Sequence, residues 1–251
     1  MKFYESLDIT LMENELICFV GAGGKTTSLF KLAKELKACN KRVLVTTTTA
    51  IYSPDESHCD EVILDRAKDS DVMKKRIDPC ICALGREVTA ENKLLGVDNE
   101  YVTKLFMEKV FDYILVEADG SRQKPIKAPA DHEPVIPDGT TKTVGVIGLD
   151  ALGRQICSDS VHRPEHFCSL TGRTMGDRID EEMVAKLILA PDGLFKSAPG
   201  GSRKYVLFNK VCTRELQKSS RCIVDEVTGN DSVGLNFIIA DMHKGSISKA
   251  V

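Results

Sequence analysis

The sequence predicts an α/β fold in three layers: a mostly parallel sheet with helices on both faces. Three observations carry that expectation. Short apolar runs such as Leu16–Val20, Val43–Thr46 and Tyr113–Glu117 have the length and composition of buried strands. Segments with apolar residues at helical spacing alternate with them, as in Leu29, Phe30, Leu32, Ala33 and Leu36. The first run also enters a glycine cluster that opens a helix, a junction that suits strands and helices alternating about a parallel sheet.

In chain order, Leu16–Val20 reads as a strand and Thr26–Cys39 as the helix after it, with Asn40 as the stop. Val43–Thr46 is a second strand and runs into four threonines, Thr46–Thr49. Glu61–Leu64 and Cys80–Leu84 are further strands, with a helix expected over Lys68–Ile77 between them. Tyr101–Lys109 is expected to be helical and Tyr113–Glu117, YILVE, a buried strand. A polar loop follows to about residue 139, and its four prolines stiffen it. Thr143–Leu149 is a strand, 151–176 shows no clear period, and Asp180–Leu189 is an amphipathic helix with Pro191 after its end. Tyr205–Asn209 and Phe237–Ala240 are late strands. With no repeat, low-complexity tract or long linker, the expectation is one domain over 1–251. The stretches 118–140 and 151–176 are expected to form a lobe over the strand ends.

With 34 basic and 37 acidic residues and a net charge of −3, the chain has no electrostatic footprint for nucleic acid or an anionic membrane. No apolar run approaches the roughly 18–20 residues of a membrane span. The start, MKFYESLDITLMENE, lacks the apolar core of a signal peptide. A cytoplasmic location is the expectation. Nine cysteines include no C-x-x-C pair. Those in apolar runs, such as Cys18, Cys80 and Cys82, read as buried thiols in a reducing compartment. A soft-metal role for Cys80-x-Cys82, whose side chains share one face of a strand, is the alternative.

LICFV-GAGGKTT-SLFKLAKEL is strand, glycine loop, helix, the context that a phosphate loop requires. It makes the expected fold P-loop NTPase-like. Gly21, Ala22, Gly23 and Gly24 would turn backbone N–H groups toward a phosphate, and the helix start adds its dipole. Lys25 falls in the first helical turn, where the dipole disfavours a cation unless an anion neutralises it. Thr26 offers a hydroxyl for Mg²⁺, and Thr27 completes the loop. The spelling is the short G-x-x-G-K-T-T form, with Phe19 where the longer pattern has glycine. It resembles the loop of Mur-type ligases. It is less similar to that of MinD-like NTPases, whose signature lysine is replaced here by Val20.

Glu117 ends the YILVE strand, where an acid would stand near Mg²⁺. Glu117-Ala118-Asp119-Gly120 also resembles the [DE]-x-x-G switch of GTPase-like NTPases, so Asp119 competes for the role. Lys25, Glu117 and Asp119 are thus the catalytic candidates, with Thr26 and Glu117 as the metal pair. Thr46–Thr49 follow strand 2 at the ligand-binding end of such a sheet. Thr48 is the candidate there for a γ-phosphate contact; β-propensity is the competing explanation of the run. Asn209-Lys210-Val211-Cys212 resembles the N-K-x-D base-reading motif. Asn209 and Lys210 remain base-contact candidates, but a thiol at 212 cannot accept guanine's paired hydrogen bonds. Arg122, Lys124 and Lys127 are candidate anion ligands, His132 with Glu133 a candidate acid–base pair. His162-Arg163-Pro164 and Arg173 are further candidate anion contacts, with ordinary surface pairing the favoured reading.

The stretches GAGGKTT, VTTTTAI and ADGSRQKPIKAPADHEPVIP together closely resemble the YqeC family, from Glu15 through the NKV segment. The phosphate loop implies ATP or GTP with Mg²⁺, and the resemblance implies a P-loop protein that helps mature a selenium-dependent molybdenum hydroxylase. The implied partner is that hydroxylase or its cofactor machinery. Two other functions stay open: a small-molecule ATP-dependent ligase or kinase, suggested by the Mur-like loop, and a nucleotide-dependent binding module with negligible turnover. A full Mur ligase has additional domains for which 251 residues leave little room.

Overall fold

The structure is a computed structural model that describes residues 1–65, 78–229 and 234–250. The helix expected over Lys68–Ile77 lies outside the described residues. The strands are β1 (Glu15–Gly21), β2 (Val43–Thr47), β3 (Ala50–Tyr52), β4 (Glu61–Leu64), β5 (Ile81–Gly85), β6 (Lys93–Leu95), β7 (Tyr113–Glu117), β8 (Ile126–Lys127), β9 (Lys142–Gly148), β10 (Val161–His162), β11 (Arg203–Asn209), β12 (Leu235–Asp241) and β13 (Ser246–Ala250). The helices are α1 (Phe3–Ser6), α2 (Lys25–Ala38), α3 (Asn99–Met107), α4 (Pro164–Thr171), α5 (Glu181–Leu189) and α6 (Arg214–Thr228).

The main sheet runs β13-β12-β11-β9-β1-β7-β2-β5-β4. Every pairing in it is parallel except β12 with β13. Parallel strands covered on both faces should be apolar throughout rather than alternating. All seven residues of β1 are buried accordingly, as are all five of β7. The period of two splits them between layers. Ile17 and Phe19 of β1 face one way, into a core with Phe3 of α1 and Leu29 and Leu36 of α2. Leu16, Cys18 and Val20 face the other, with Val102 and Leu105 of α3. Farther along that second face, Val206, Phe208 and Phe237 pack with α5 and α6 through Leu187, Ile223 and Val227.

Most expected elements form within two residues of their expected limits. Two regions resolve into more than the sequence suggested. The loop after β7 contributes β8, and 151–176 contributes β10 and α4. Those two short strands pair in parallel, Ile126 with Val161 and Lys127 with His162, so the two stretches are hydrogen-bonded to each other. Helix α6 has no counterpart among the expected elements, although its signals are local. Thr213 caps it by accepting the Leu216 N–H at 3.2 Å, and Ser220, Ile223, Val224 and Val227 form a buried stripe.

Because the strands are parallel, Gly21, Thr47, Glu117, Gly148 and Asn209 all end at one edge of the sheet. Strand β1 lies between β7 and β9, so the chain steps outward from it in opposite directions. The crevice at such a reversal is where open sheets bind ligands.

Candidate functional site

Strand β1 leaves the sheet through a loop that only glycine can build. Gly21, Gly23 and Gly24 have φ of +89°, +87° and +127°. A Cβ on Gly23 would lie 2.2 Å from Gly148 N, and one on Gly24 would lie 2.2 Å from Asn209 Nδ2. The loop is stapled at two amides: Ala22 N–H donates to Val146 O at 2.8 Å and Gly23 N–H to Lys124 O at 3.1 Å. The first helical bond of α2 is Ser28 N–H to Gly24 O at 3.0 Å. The amides of Lys25, Thr26 and Thr27 therefore precede the intrahelical ladder and open at the positive end of the helix.

Lys25 folds back over the loop. Its ammonium donates to Gly21 O at 2.7 Å and lies 3.1 Å from Asp119 Oδ1 and 3.6 Å from Glu117 Oε1. Burial alone would lower its pKa; the Asp119 and Glu117 carboxylates outweigh that and hold it above the ordinary lysine value. The Thr26 hydroxyl donates to Glu117 Oε2 at 2.7 Å. Burial pushes Glu117 upward, against the attraction of Lys25 and the Thr26 hydrogen bond, and Asp119 adds to the rise. The two directions are compatible, because the nearer carboxylate, Asp119, is the one that keeps Lys25 charged.

Asp119 meets the loop and the segment after β7 at once. Its Oδ2 accepts the Gly21 N–H at 3.1 Å and lies 2.8 Å from Lys127 Nζ. Lys127 donates to Gly120 O at 2.8 Å and to Glu133 Oε2 at 2.7 Å, and Arg163 Nη1 reaches the same Glu133 oxygen at 2.7 Å. The result is a chain of alternating charge: Glu117, Lys25, Asp119, Lys127, Glu133, Arg163. Burial would raise Glu133, but Arg163 and Lys127 outweigh it and bring its pKa to about 2. His162, half-buried beside Arg163 and Lys127, is held neutral by burial and by those cations, with a pKa of about 4.

The other expected site residues take separate places. Thr48 Oγ1 donates to Val135 O at 2.8 Å and Thr47 Oγ1 to Glu117 O at 2.7 Å, tying the threonine run to β7 and its loop. Asn209 is buried; its Nδ2 donates to Gly23 O at 2.8 Å and its Oδ1 accepts the Met242 N–H at 3.1 Å. Lys210 lies 3.2 Å from Asp150 Oδ2, and Cys212 is exposed. His132 is exposed while Glu133 is committed to its cations, so no hydrogen bond joins those two. Arg173 pairs with Glu182 at 2.8 Å on the surface. Cys80 and Cys82 are buried with their sulfurs 3.8 Å apart. Among the described residues no group of three or more His, Cys, Asp or Glu side chains is arranged to hold a metal. No helix of the described residues is long and apolar enough to cross a membrane.

Gly148 and Asp150 escaped the sequence reading. Gly148 N–H donates to Pro125 O at 2.9 Å directly against Gly23, and Asp150 receives Lys210 and, at 3.0 Å, Arg154. A glycine closing an apolar strand at the ligand edge, TVGVIG-LD, was the available signal.

Fold and site together define a mostly parallel α/β protein whose central strand carries a glycine loop, a buried lysine and, from the neighbouring strand, two carboxylates. The family model described as YqeC protein matches residues 17–165, from β1 into α4, which includes every member of the charge chain. The sequence is also 35% identical, over 197 residues, to a protein of Escherichia coli (strain K12) described as uncharacterized protein YqeC; the match covers 78% of this chain and 75% of that one. The chain belongs to the YqeC family.

Proposed function

We propose that this protein is a P-loop NTPase: it binds a nucleoside triphosphate at Gly21–Thr27 and hydrolyses it on behalf of another protein. The observation that carries the reading is the helix start of α2. It combines three unclaimed amides, an ammonium held charged and a hydroxyl–carboxylate pair within one turn and its neighbouring strand end. Amides at a helix start beside a cation favour an anionic ligand. The donor set also suits Mg²⁺, which takes hard oxygens from one or two side chains and the rest from phosphate and water. Thr26 and Glu117 would hold it, Asp119 being the alternative acid, and when bound it would neutralise charge on the phosphates. The Thr26–Glu117 hydrogen bond at 2.7 Å supports that pair.

The family resemblance supports the role as an accessory factor in the cytoplasm for a selenium-dependent molybdenum hydroxylase. Calorimetric titration with Mg–ATP and Mg–GTP is expected to show binding that Lys25→Ala abolishes; equal affinity in the variant would refute the phosphate-loop reading. In cells lacking the protein, the hydroxylase should be made but cofactor-deficient, and rescued by wild type but not by Lys25→Ala. A fully loaded hydroxylase there would favour the ligase or kinase reading, to which the Mur-like loop spelling points.

A further inference from the structure

The residues Ser121–Lys124 form a tight turn, closed by Lys124 N–H donating to Ser121 O at 2.9 Å. Both central residues, Arg122 and Gln123, have left-handed backbone, with φ of +47° and +60°. Glycine, asparagine and aspartate are the residues that fill such positions without penalty; arginine and glutamine are not. Strain of this kind persists where the surroundings over-determine it. Here they do. On one side Asp119 is fixed to Gly21 N–H at 3.1 Å, and on the other Lys124 O accepts Gly23 N–H at 3.1 Å and Pro125 O accepts Gly148 N–H at 2.9 Å. The turn is thus stapled to the phosphate loop at both ends.

What the turn presents is an unclaimed guanidinium. Lys25, Lys127 and Arg163 are each engaged by carboxylates. Arg122 is exposed, and among the described residues its side chain has no hydrogen-bond or ion-pair partner. The charge chain engages Lys25, Lys127 and Arg163, and Lys124 has only the exposed Asp159 at 3.8 Å, so Arg122 and Lys124 are the loosely held cations of a turn whose backbone is hydrogen-bonded to the loop.

We infer that Arg122 is a catalytic residue supplied in cis: its guanidinium contacts the terminal phosphoryl group of the bound triphosphate and stabilises the charge that develops as that group is transferred to water. The inference rests on the triphosphate reading of Gly21–Thr27. In the step, the bond from the bridging oxygen to the terminal phosphorus breaks, with its electron pair left on the diphosphate. A bond from the water oxygen to phosphorus forms, and both of the water's protons leave with the phosphate product as dihydrogen phosphate, one then passing to solvent near neutral pH. Arginines placed this way act mainly on the transition state, through bidentate hydrogen bonds that a lysine cannot copy. The staples at both ends of the turn are what hold such a group in place.

The test measures three quantities in wild type, Arg122→Ala, Arg122→Lys and Gln123→Gly: Mg–ATP and Mg–GTP affinity, single-turnover hydrolysis, and affinity for Mg–nucleoside diphosphate with aluminium fluoride. Expected for Arg122→Ala is triphosphate affinity within about threefold of wild type, but hydrolysis and aluminium-fluoride affinity down by roughly a hundredfold or more. Arg122→Lys should recover only a part. Gln123→Gly, which relaxes the same turn and keeps the guanidinium, should stay within about threefold in both and melt no lower than wild type. A wild type that binds no triphosphate sinks the function and this inference together. A wild type that binds triphosphate, with Arg122→Ala unchanged in hydrolysis and aluminium-fluoride affinity, overturns the inference alone. So does a Gln123→Gly variant that loses as much as Arg122→Ala, whereas a wild type that binds triphosphate yet neither hydrolyses it nor binds the aluminium-fluoride complex overturns the inference and the hydrolysis in the proposed function, leaving nucleotide binding.

Discussion

Lys127→Met tests the charge chain directly. The variant keeps the side chain's length and removes its charge. The ammonium is almost wholly buried and lies 2.8 Å from Asp119, 2.7 Å from Glu133 and 2.8 Å from Gly120 O. Asp119 would retain Lys25 and the Gly21 N–H, and Glu133 would retain Arg163, so neither acid is left without a partner. With both acids still partnered, the loss stays below the roughly 3–5 kcal/mol of an uncompensated buried charge and is expected at about 1.5–3 kcal/mol, the worth of a hydrogen bond to a charged group. At about 2–4 °C per kcal/mol for a chain near this size, the melting temperature should fall by roughly 3–12 °C at pH 7. The pH dependence adds a second check. Glu133 has a folded pKa of about 2 against an ordinary 4.5, so it contributes stability above 4.5 that is lost as pH falls from there toward 2. Lys127 is one of the two cations responsible, so the gap between variant and wild type should be widest above 4.5 and narrow below it. Scanning calorimetry from pH 3 to 8 reads both. Lys124→Ala is the control, since its partner Asp159 lies 3.8 Å away and is 96% exposed, and such a pair is worth about 0–1 kcal/mol. A Lys127→Met protein within about 1 kcal/mol of wild type at pH 7 would refute the reasoning that the buried hydrogen bonds of Lys127 stabilise the fold.

Gly23→Ala should distort the loop and abolish triphosphate binding, because its Cβ would lie 2.2 Å from Gly148 N at a φ of +87°; wild-type affinity by titration would contradict the packing. Glu117→Gln is expected to remove the Mg²⁺ dependence of nucleotide binding while Asp119→Asn chiefly destabilises the loop, with the reverse pattern in metal titrations moving the metal role to Asp119. Asn209→Ala strands Gly23 O and Met242 N–H and should cost about 1–3 kcal/mol in denaturant melts, where a smaller loss would mean that neither group is left unpaired. With Asn209 spent on those two backbone groups and a thiol at 212, ATP and GTP should compete within about tenfold, or 1.4 kcal/mol; a thousandfold GTP preference would rule this out.

The amino-acid sequence on its own determined what depends on neighbours in the chain. Strand and helix periods placed β1, α2, β2, β7 and α5 within two residues. GAGGKTT announced the loop, because its need for positive φ is met by residue type alone. Glu117 was legible from its place at the end of an apolar strand. Helix α6 was legible too, through Thr213 and its apolar stripe, though it had no place among the expected elements. Only tertiary structure decided who meets whom. Thr26 reaches Glu117 across 91 residues and Asn209 reaches Gly23 across 186, and no periodicity encodes separations of that kind. The reading of His132 with Glu133 as a pair failed for the same reason: Glu133 lies inside, between Lys127 and Arg163, and His132 lies outside. Which of many similar charges is buried against which follows from strand order, and strand order is set by how the whole apolar surface is buried at once.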